Sequence, residues 1–269
     1  MLLAIDLGNT SMKFALYKKN VISSDFDYIP LHIFKLLTKA QTNETILLKS
    51  TKKEFSKIKV DICSVKDIVV CSVVPSVLNT LKNALNIMFP QIKVFFISGK
   101  CNTSINFKNI NLSEVGADLI SLAQGATKLI HSFKKPCIVA SLGTASTFSL
   151  IDENNTFLGA SIAPGFKTSL DSLINNAELL DEFSDFKPPV KIINTSTKEC
   201  ILSGSIYGYA YLVQGIINKI KKEINKDCNV ILTGGYADIV RESLSIKYVY
   251  KPDLLLNGML AVYFLSKQN

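Results

Sequence analysis

The sequence predicts an α/β protein of two lobes related by internal duplication, with a cleft between them. Three observations carry that expectation. An apolar run entering a glycine turn occurs twice, as "LLAIDLGNTSMKFALY" (2–17) and "VASLGTASTFSLID" (139–152). Each copy is followed by alternating runs of strand length and helical periodicity. The 269 residues are 48% hydrophobic, enough for a sizeable core. The repeat interval is far too long for a solenoid.

In chain order, residues 2–6 read as a buried strand and 12–17 as the next, joined by a tight turn. "VISSDFDY" (21–28) reads as a third strand. "LHIFKLLTK" (31–39) has helical spacing, and residues 40–60 are polar and poorly patterned. "DIVVCSVVP" (67–75) is a strand, Pro75 and Ser76 start an amphipathic helix to Met88, and "IKVFFIS" (92–98) is another strand. The pattern restarts at Ser113, which places a lobe boundary between 1–112 and 113–269. Val115, Leu119, Leu122, Ala126 and Leu129 line one helical face. Strands follow over 137–141, 145–151 and 157–162, then a helix from Lys167 to Leu179. "DEFSDFKPP" (181–189) is a loop. A long helix, interrupted near Gly204 and Gly208, runs to Lys222. "NVILTGG" (229–235) is a strand entering a Gly-Gly turn, and 254–267 is a closing helix.

The bulk composition excludes several classes. The formal charge is +8, yet the lysines are scattered and Arg241 is the only arginine, so bidentate recognition of phosphate or base edges is scarce and no nucleic-acid partner is expected. The six cysteines form no Cys-x-x-Cys pair, and the two histidines are far apart, so buried free thiols are expected and a metal centre is not. The N-terminus is apolar only to Ile5, and no apolar run approaches the roughly 18 residues that span a bilayer. A soluble cytoplasmic protein with no membrane partner is expected.

The two glycine turns are where chemistry is expected. Laid over each other, Leu7 meets Leu142, Gly8 meets Gly143 and Ser11 meets Ser146, but Asp6 meets Ser141. A Gly-Asn-Thr turn between buried strands presents backbone N–H groups that cradle anions, and glycine lets a phosphate approach closely. Asp6 at a strand end suits Mg²⁺ held through water. Such turns also occur as plain hairpin connections, so one copy alone decides nothing. The Gly-Gly turn after 233 is a weaker pointer to a bound base or ribose. Asp118, near a helix start, either offsets the positive helix end or acts as a general base in phosphoryl transfer.

With these residues in hand, the chain resembles the type III pantothenate kinases, of the acetate and sugar kinase and actin superfamily. The landmarks are "DLGNT" (6–10), "SVVP" (72–75), "VGAD" (115–118), "GTAST" (143–147), "GASIAPG" (159–165), "NT" (194–195), "SGSIYGYAYLVQGI" (203–216), "ILTGG" (231–235) and "PDLLLNGM" (252–259). The resemblance implies two RNase H-like lobes of the actin-like ATPase fold, nucleotide in the cleft, and phosphorylation of pantothenate in coenzyme A biosynthesis. It implies ATP contacts from Asp6, Leu7, Gly8, Asn9, Thr10, Ser11, Met12, Lys13 and Thr144. It implies pantothenate contacts from Phe107, Gly116, Ala117, Asp118, Leu119 and Thr195, with Asp118 accepting the proton. It also implies Mg²⁺ with ATP, a monovalent cation (K⁺ or NH₄⁺), and a homodimer. Three positions depart from the family pattern. Ser141 replaces a cation-binding Asp, Leu119 an Arg, and Phe107 a Tyr. Three readings stay open at this point: a pantothenate kinase with altered cation use, a kinase for another small alcohol, and a non-catalytic regulator.

Overall fold

The computed structural model describes residues 1–18, 28–41, 43–108, 110–176 and 186–268. The strand expected over 21–28 lies, except for Tyr28, outside the described residues, as do residues 177–185. The chain forms two compact units: residues 1–128 with 253–269, and residues 129–252.

The first unit is built on a five-stranded sheet. β1 (Leu2–Leu7) and β2 (Ser11–Tyr17) form a hairpin, β3 (His32–Leu37) adds antiparallel to β2, and β4 (Asp67–Ser72) and β5 (Phe95–Phe96) add parallel to β1. The order is β3-β2-β1-β4-β5. β1 reads as continuously apolar from Leu2 to Ile5 because both its faces are covered there. One face packs on α1 (Glu44–Lys57) and α2 (Pro75–Met88) through Leu3, Ile5, Phe14, Leu47, Phe55 and Leu81. The other packs on α3 (Ala117–Phe133) and α7 (Leu254–Lys267) through Ala4, Ala15, Val69, Ile120 and Met259.

The second unit repeats the plan. β6 (Cys137–Leu142), β7 (Ala145–Ile151) and β8 (Phe157–Pro164) form an antiparallel meander, and β9 (Asn229–Thr233) and β10 (Val249–Tyr250) add parallel to β6. The order β8-β7-β6-β9-β10 matches the first sheet strand for strand and sense for sense. α4 (Phe166–Asn175), α5 (Thr197–Ile224) and the short α6 (Ala237–Val240) cover one face.

Several expectations need correction. Residues 32–37 form a strand, not a helix. Their apolar positions fit both periods, and pairing with β2 decides, with Phe34 stacked on Phe14 at 4.7 Å and edge-on to Phe55. The poorly patterned stretch 40–60 contains α1, whose buried stripe is only Leu47, Thr51 and Phe55. Its start is set by Asn43, whose side chain accepts the Ile46 N–H at 3.0 Å. β5 is two residues long rather than seven. α5 is continuous through Gly204 and Gly208, because Leu202, Ile206, Tyr209, Ala210, Val213 and Ile217 hold it to the core. α5 is also long and apolar enough to cross a membrane by length and composition, which qualifies the earlier exclusion, but this same stripe faces the interior of its unit. The division at 112/113 moves to 128/129, and 253–269 return to the first unit, because Ile120, Leu256, Met259 and Leu260 pack on the first sheet. The N-terminal part of α3 buries Ile120, Leu122, Ala123 and Ala126, while Leu119 and Leu129 lie at its margin.

α3 and α7 cross at two glycines. A Cβ at Gly125 would stand 2.7 Å from the Leu254 carbonyl oxygen, and one at Gly258 would run into the Ser121 carbonyl. This close crossing fixes the height of α3 on the sheet, and with it the position of Asp118.

Candidate active site

The register of the first sheet puts Lys35, Lys13, Asp6 and Cys71 side by side on β3, β2, β1 and β4. Directly opposed residues share a face, so these four form one row on the face covered by α3 and α7. The row lies beside the glycine turn, where the hydrophobic layer ends. Asp118 stands in the first turn of α3, on the same face.

The electrostatics confirm this grouping. Burial raises the Asp6 carboxyl to about 6; Lys13 opposes the rise, Asp118 adds to it, and Lys35 opposes it. The Cys71 thiol is pushed well above its usual range by burial, then by Asp6 and then by Asp118, so one buried thiol senses both carboxylates. Burial raises Asp118 as well, against the Leu119 N–H that its Oδ1 accepts at 2.9 Å. Two carboxylates whose protonated forms are favoured by desolvation, with lysines on one flank, suit an acid–base and cation-assisted reaction of a phosphate ester.

The turn itself is braced from β3. Gly8 N–H donates to the Ser11 carbonyl at 3.1 Å, the Thr38 hydroxyl donates to the Gly8 carbonyl at 2.7 Å, and Thr38 N–H donates to the Thr10 carbonyl at 3.0 Å. Asn9 and Thr10 are exposed at the tip, Ser11 is partly buried and Met12 fully buried in the core below. Leu7 is likewise core.

The second turn is one residue shorter. Met12 opposes Leu7, whereas Ser146 opposes Leu142. The expected overlay therefore holds through Gly8 and Gly143 and slips by one afterwards: the counterpart of Ser11 is Ala145, and Ser146 is a buried core group sharing a 2.7 Å hydrogen bond with Tyr209. Thr144 is exposed at this tip. Its carbonyl accepts from Gly165 N–H at 3.1 Å and from the Thr168 hydroxyl at 2.7 Å. Gly165 must be glycine, since a Cβ there would overlap the Gly143 and Thr144 carbonyls. Gly234, at φ 98°, backs onto the Leu142 backbone, and Gly235 faces open space.

The row equivalent to Lys35–Lys13–Asp6–Cys71 is Ile162–Thr147–Ser141–Thr233. It carries three hydroxyls and no charge. Neutral oxygens alone do not match a cation site that relies on a carboxylate. In the first row, by contrast, Asp6 is a carboxylate at a strand end beside the glycine turn, which fits a Mg²⁺–nucleotide, since that needs only one or two carboxylates beside the phosphates. Among the described residues no cluster of three or more His, Cys, Asp or Glu gathers.

The remaining candidates are dispersed. Gly116 precedes α3 so closely that a Cβ would strike the Asp118 carboxylate, and Ala117 opens the helix. Phe107 packs against the α3–α7 face and lines a cavity of about 340 Å³ with Ser98, Asn102, Asn106, Leu112 and Ile120. Asp118 does not line that cavity. Thr195 lies in an exposed segment before α5, in the second unit. Sequence reasoning missed Lys35, Thr38 and Thr168. The period-2 reading of 32–37 would have placed Lys35 in register with Lys13; neither threonine carries any pattern.

Comparison with known proteins shows the family. The family model for type III pantothenate kinase matches residues 2–219. A type III pantothenate kinase from Agathobacter rectalis is 33% identical over 272 residues, covering 100% of this chain and 98% of the relative. One from Dehalococcoides mccartyi is 27% identical, covering 99% and 96%. Solved structures share the fold at low identity. The (R)-2-hydroxyglutaryl-CoA dehydratase component A of Acidaminococcus fermentans has a TM-score of 0.52 at 15% identity, covering 99% of this chain and 98% of its own. A Campylobacter jejuni protein described as a candidate Baf-family transcriptional activator has a TM-score of 0.54 at 15% identity, covering 99% and 100%. These neighbours share the chain's α/β fold over nearly its full length. By the family match over most of its length and the full-length relative, the chain belongs to the type III pantothenate kinase family.

Proposed function

We propose that this protein transfers the γ-phosphoryl group of ATP to the terminal hydroxyl of pantothenate, the entry reaction of coenzyme A synthesis. The observation that carries the reading is the pairing of Asp6 and Asp118 around the buried Cys71, beside a glycine turn and two lysines. Mg²⁺, when bound with ATP, would neutralise phosphate charge and be held by Asp6 through water. Residues 6–13 and Thr144 are the nucleotide contacts in this reading. Lys13 supplies positive charge and the turn amides supply donors.

Asp118 is the proton acceptor. Its Oδ1 is held by the Leu119 N–H, which fixes the carboxylate and leaves Oδ2 to take the hydroxyl proton. Its burial brings its basicity closer to the working range of a general base. Phe107, Gly116, Ala117, Leu119 and Thr195 are the acceptor contacts. With Leu119 and Phe107 in place of charged and hydroxyl groups, the acceptor is gripped more by shape than by charge. The assembly is a homodimer in the cytoplasm, with α5 contributing to the interface through exposed Tyr211 and Leu212. The neutral Ser141 row supports activity with little monovalent-cation dependence.

The test is a coupled assay of ADP release with and without pantothenate. Pantothenate-dependent turnover is expected. ADP release that ignores pantothenate but responds to another small alcohol would redirect the substrate. No turnover with any alcohol would leave a regulator.

A further inference from the structure

The strongest unassigned feature is the way each glycine turn is tied down. In both units the residues that follow the third strand of the sheet reach back to the turn. After β3, the Thr38 hydroxyl donates to the Gly8 carbonyl at 2.7 Å and the Thr38 N–H donates to the Thr10 carbonyl at 3.0 Å. After β8, the Thr168 hydroxyl donates to the Thr144 carbonyl at 2.7 Å and the Gly165 N–H donates to the same oxygen at 3.1 Å. One threonine hydroxyl and one backbone amide thus brace each turn, although the two turns differ in length by a residue.

The consequence follows from peptide geometry. A trans peptide is planar, so its C=O and the next N–H point in opposite directions. Among the described residues no peptide bond is cis. Pinning the Gly8 carbonyl toward Thr38 therefore turns the Asn9 N–H away from Thr38. Pinning the Thr144 carbonyl toward α4 does the same to the Ala145 N–H. A two- or three-residue turn has few internal hydrogen bonds of its own, so an external anchor decides which way its amides face.

We propose that Thr38 and Thr168 are positioning residues, each holding a glycine turn with its N–H groups presented to the phosphates of the nucleotide. The inference rests on the ATP reading above. Thr38 touches no reacting atom. It is 3% exposed, so its hydroxyl is a built part of the turn and not a solvent contact. Thr168 is exposed, so its replacement does not disturb a core.

The experiment measures the affinity of purified protein for the Mg²⁺ complex of a non-hydrolysable ATP analogue by calorimetry, with Tm recorded for every variant. Thr38→Val removes the donor and keeps the shape, and Thr38→Ser keeps the donor. Thr38→Val is expected to weaken binding about 10-fold, equivalent to about 1.4 kcal/mol, while Thr38→Ser stays within about 2-fold. Thr168→Val is expected to weaken binding by a similar factor with Tm unchanged. In turnover, KM for ATP should rise in both Val variants and KM for pantothenate should not. If Thr38→Val and Thr38→Ser bind alike, or Thr168→Val binds as wild type, the positioning role is wrong. If wild-type protein does not bind the analogue at all, the nucleotide reading falls first and this inference with it.

Discussion

Gly258→Ala isolates the contact that sets the height of α3. The added methyl would overlap the Ser121 carbonyl oxygen, lie 2.6 Å from its carbon and 3.1 Å from the Gly125 nitrogen. Carbon atoms in contact normally sit about 3.5–4.0 Å apart. All three atoms are α3 backbone, so no side-chain rotation relieves the clash and the helices must separate by on the order of 1 Å. Overpacking of this kind costs about 1–3 kcal/mol, against a helix-propensity gain of about 1 kcal/mol for Gly→Ala. A net loss of about 1 kcal/mol lowers Tm by roughly 2–4 °C for a chain of this size. Asp118 lies one helical turn before Ser121, so the same separation displaces the carboxylate. A shift of that order costs about 10²-fold in kcat. Gly215→Ala is the matched control, since it sits in α5 with nothing within 4 Å of an added Cβ. There the propensity gain stands alone and Tm should rise slightly. Thermal melts and steady-state rates on both variants decide the matter. If Gly258→Ala melts at or above the wild-type temperature, the α3–α7 crossing does not hold Asp118 in place.

Four further outcomes are expected. Asp118→Asn should lower kcat by about 10²-fold or more with ATP-analogue affinity nearly intact, which single-turnover rates and calorimetry would show. Because burial first of all raises Asp6 from 3.8 to about 6, its favourable contribution to stability is complete below pH 3.8 and is lost as pH rises through about 6. The Tm advantage of Asp6→Asn over wild type should therefore be large above pH 6 and vanish below pH 4; a pH-independent gap would contradict the burial of Asp6. Light scattering at micromolar concentration should give a dimer, and Tyr211→Glu, at an exposed position of α5, should shift it toward monomer. Ser141→Asp should create or strengthen a K⁺ requirement, read as rate against K⁺ at constant ionic strength.

The strands around both turns were legible because their residues alternate between buried faces or are buried throughout, and the closing helix because its apolar run is long. Asp6 and Asp118 were legible as carboxylates at the ends of such elements. β3 was not, since residues 31–39 place apolar side chains at spacings that suit helix and strand equally; only pairing with β2 decides. α1 hid because its buried stripe is three residues wide and one of them is Thr51. Gly204 and Gly208 do not interrupt α5, because each costs only about 1 kcal/mol and the stripe from Leu202 to Ile217 outweighs both. The single-residue slip between the two turns was invisible, because Ser11 and Ser146 are the same residue at equal distance from a glycine. Only the strand pairing shows that one is turn and the other core.

The pairing of rows also explains why one turn keeps a carboxylate and the other a hydroxyl. In the first row burial lifts Asp6 to about 6 even with Lys13 and Lys35 opposing it. The second row offers Thr147 and Ile162 at the positions of those lysines. A carboxylate at 141 would meet comparable strand-end surroundings with no lysine in its row, so its charged form would be less favoured than that of Asp6. Only a bound cation could restore the balance, which makes a carboxylate at this position and a cation requirement two sides of one arrangement. Ser141 needs neither. Its hydroxyl is neutral at every working pH, and the second turn keeps its shape through Gly165 and Thr168 regardless of ion. The charge asymmetry between the two copies is thus a property of their rows: the first carries titratable and cationic groups, and the second only hydroxyls and an apolar side chain.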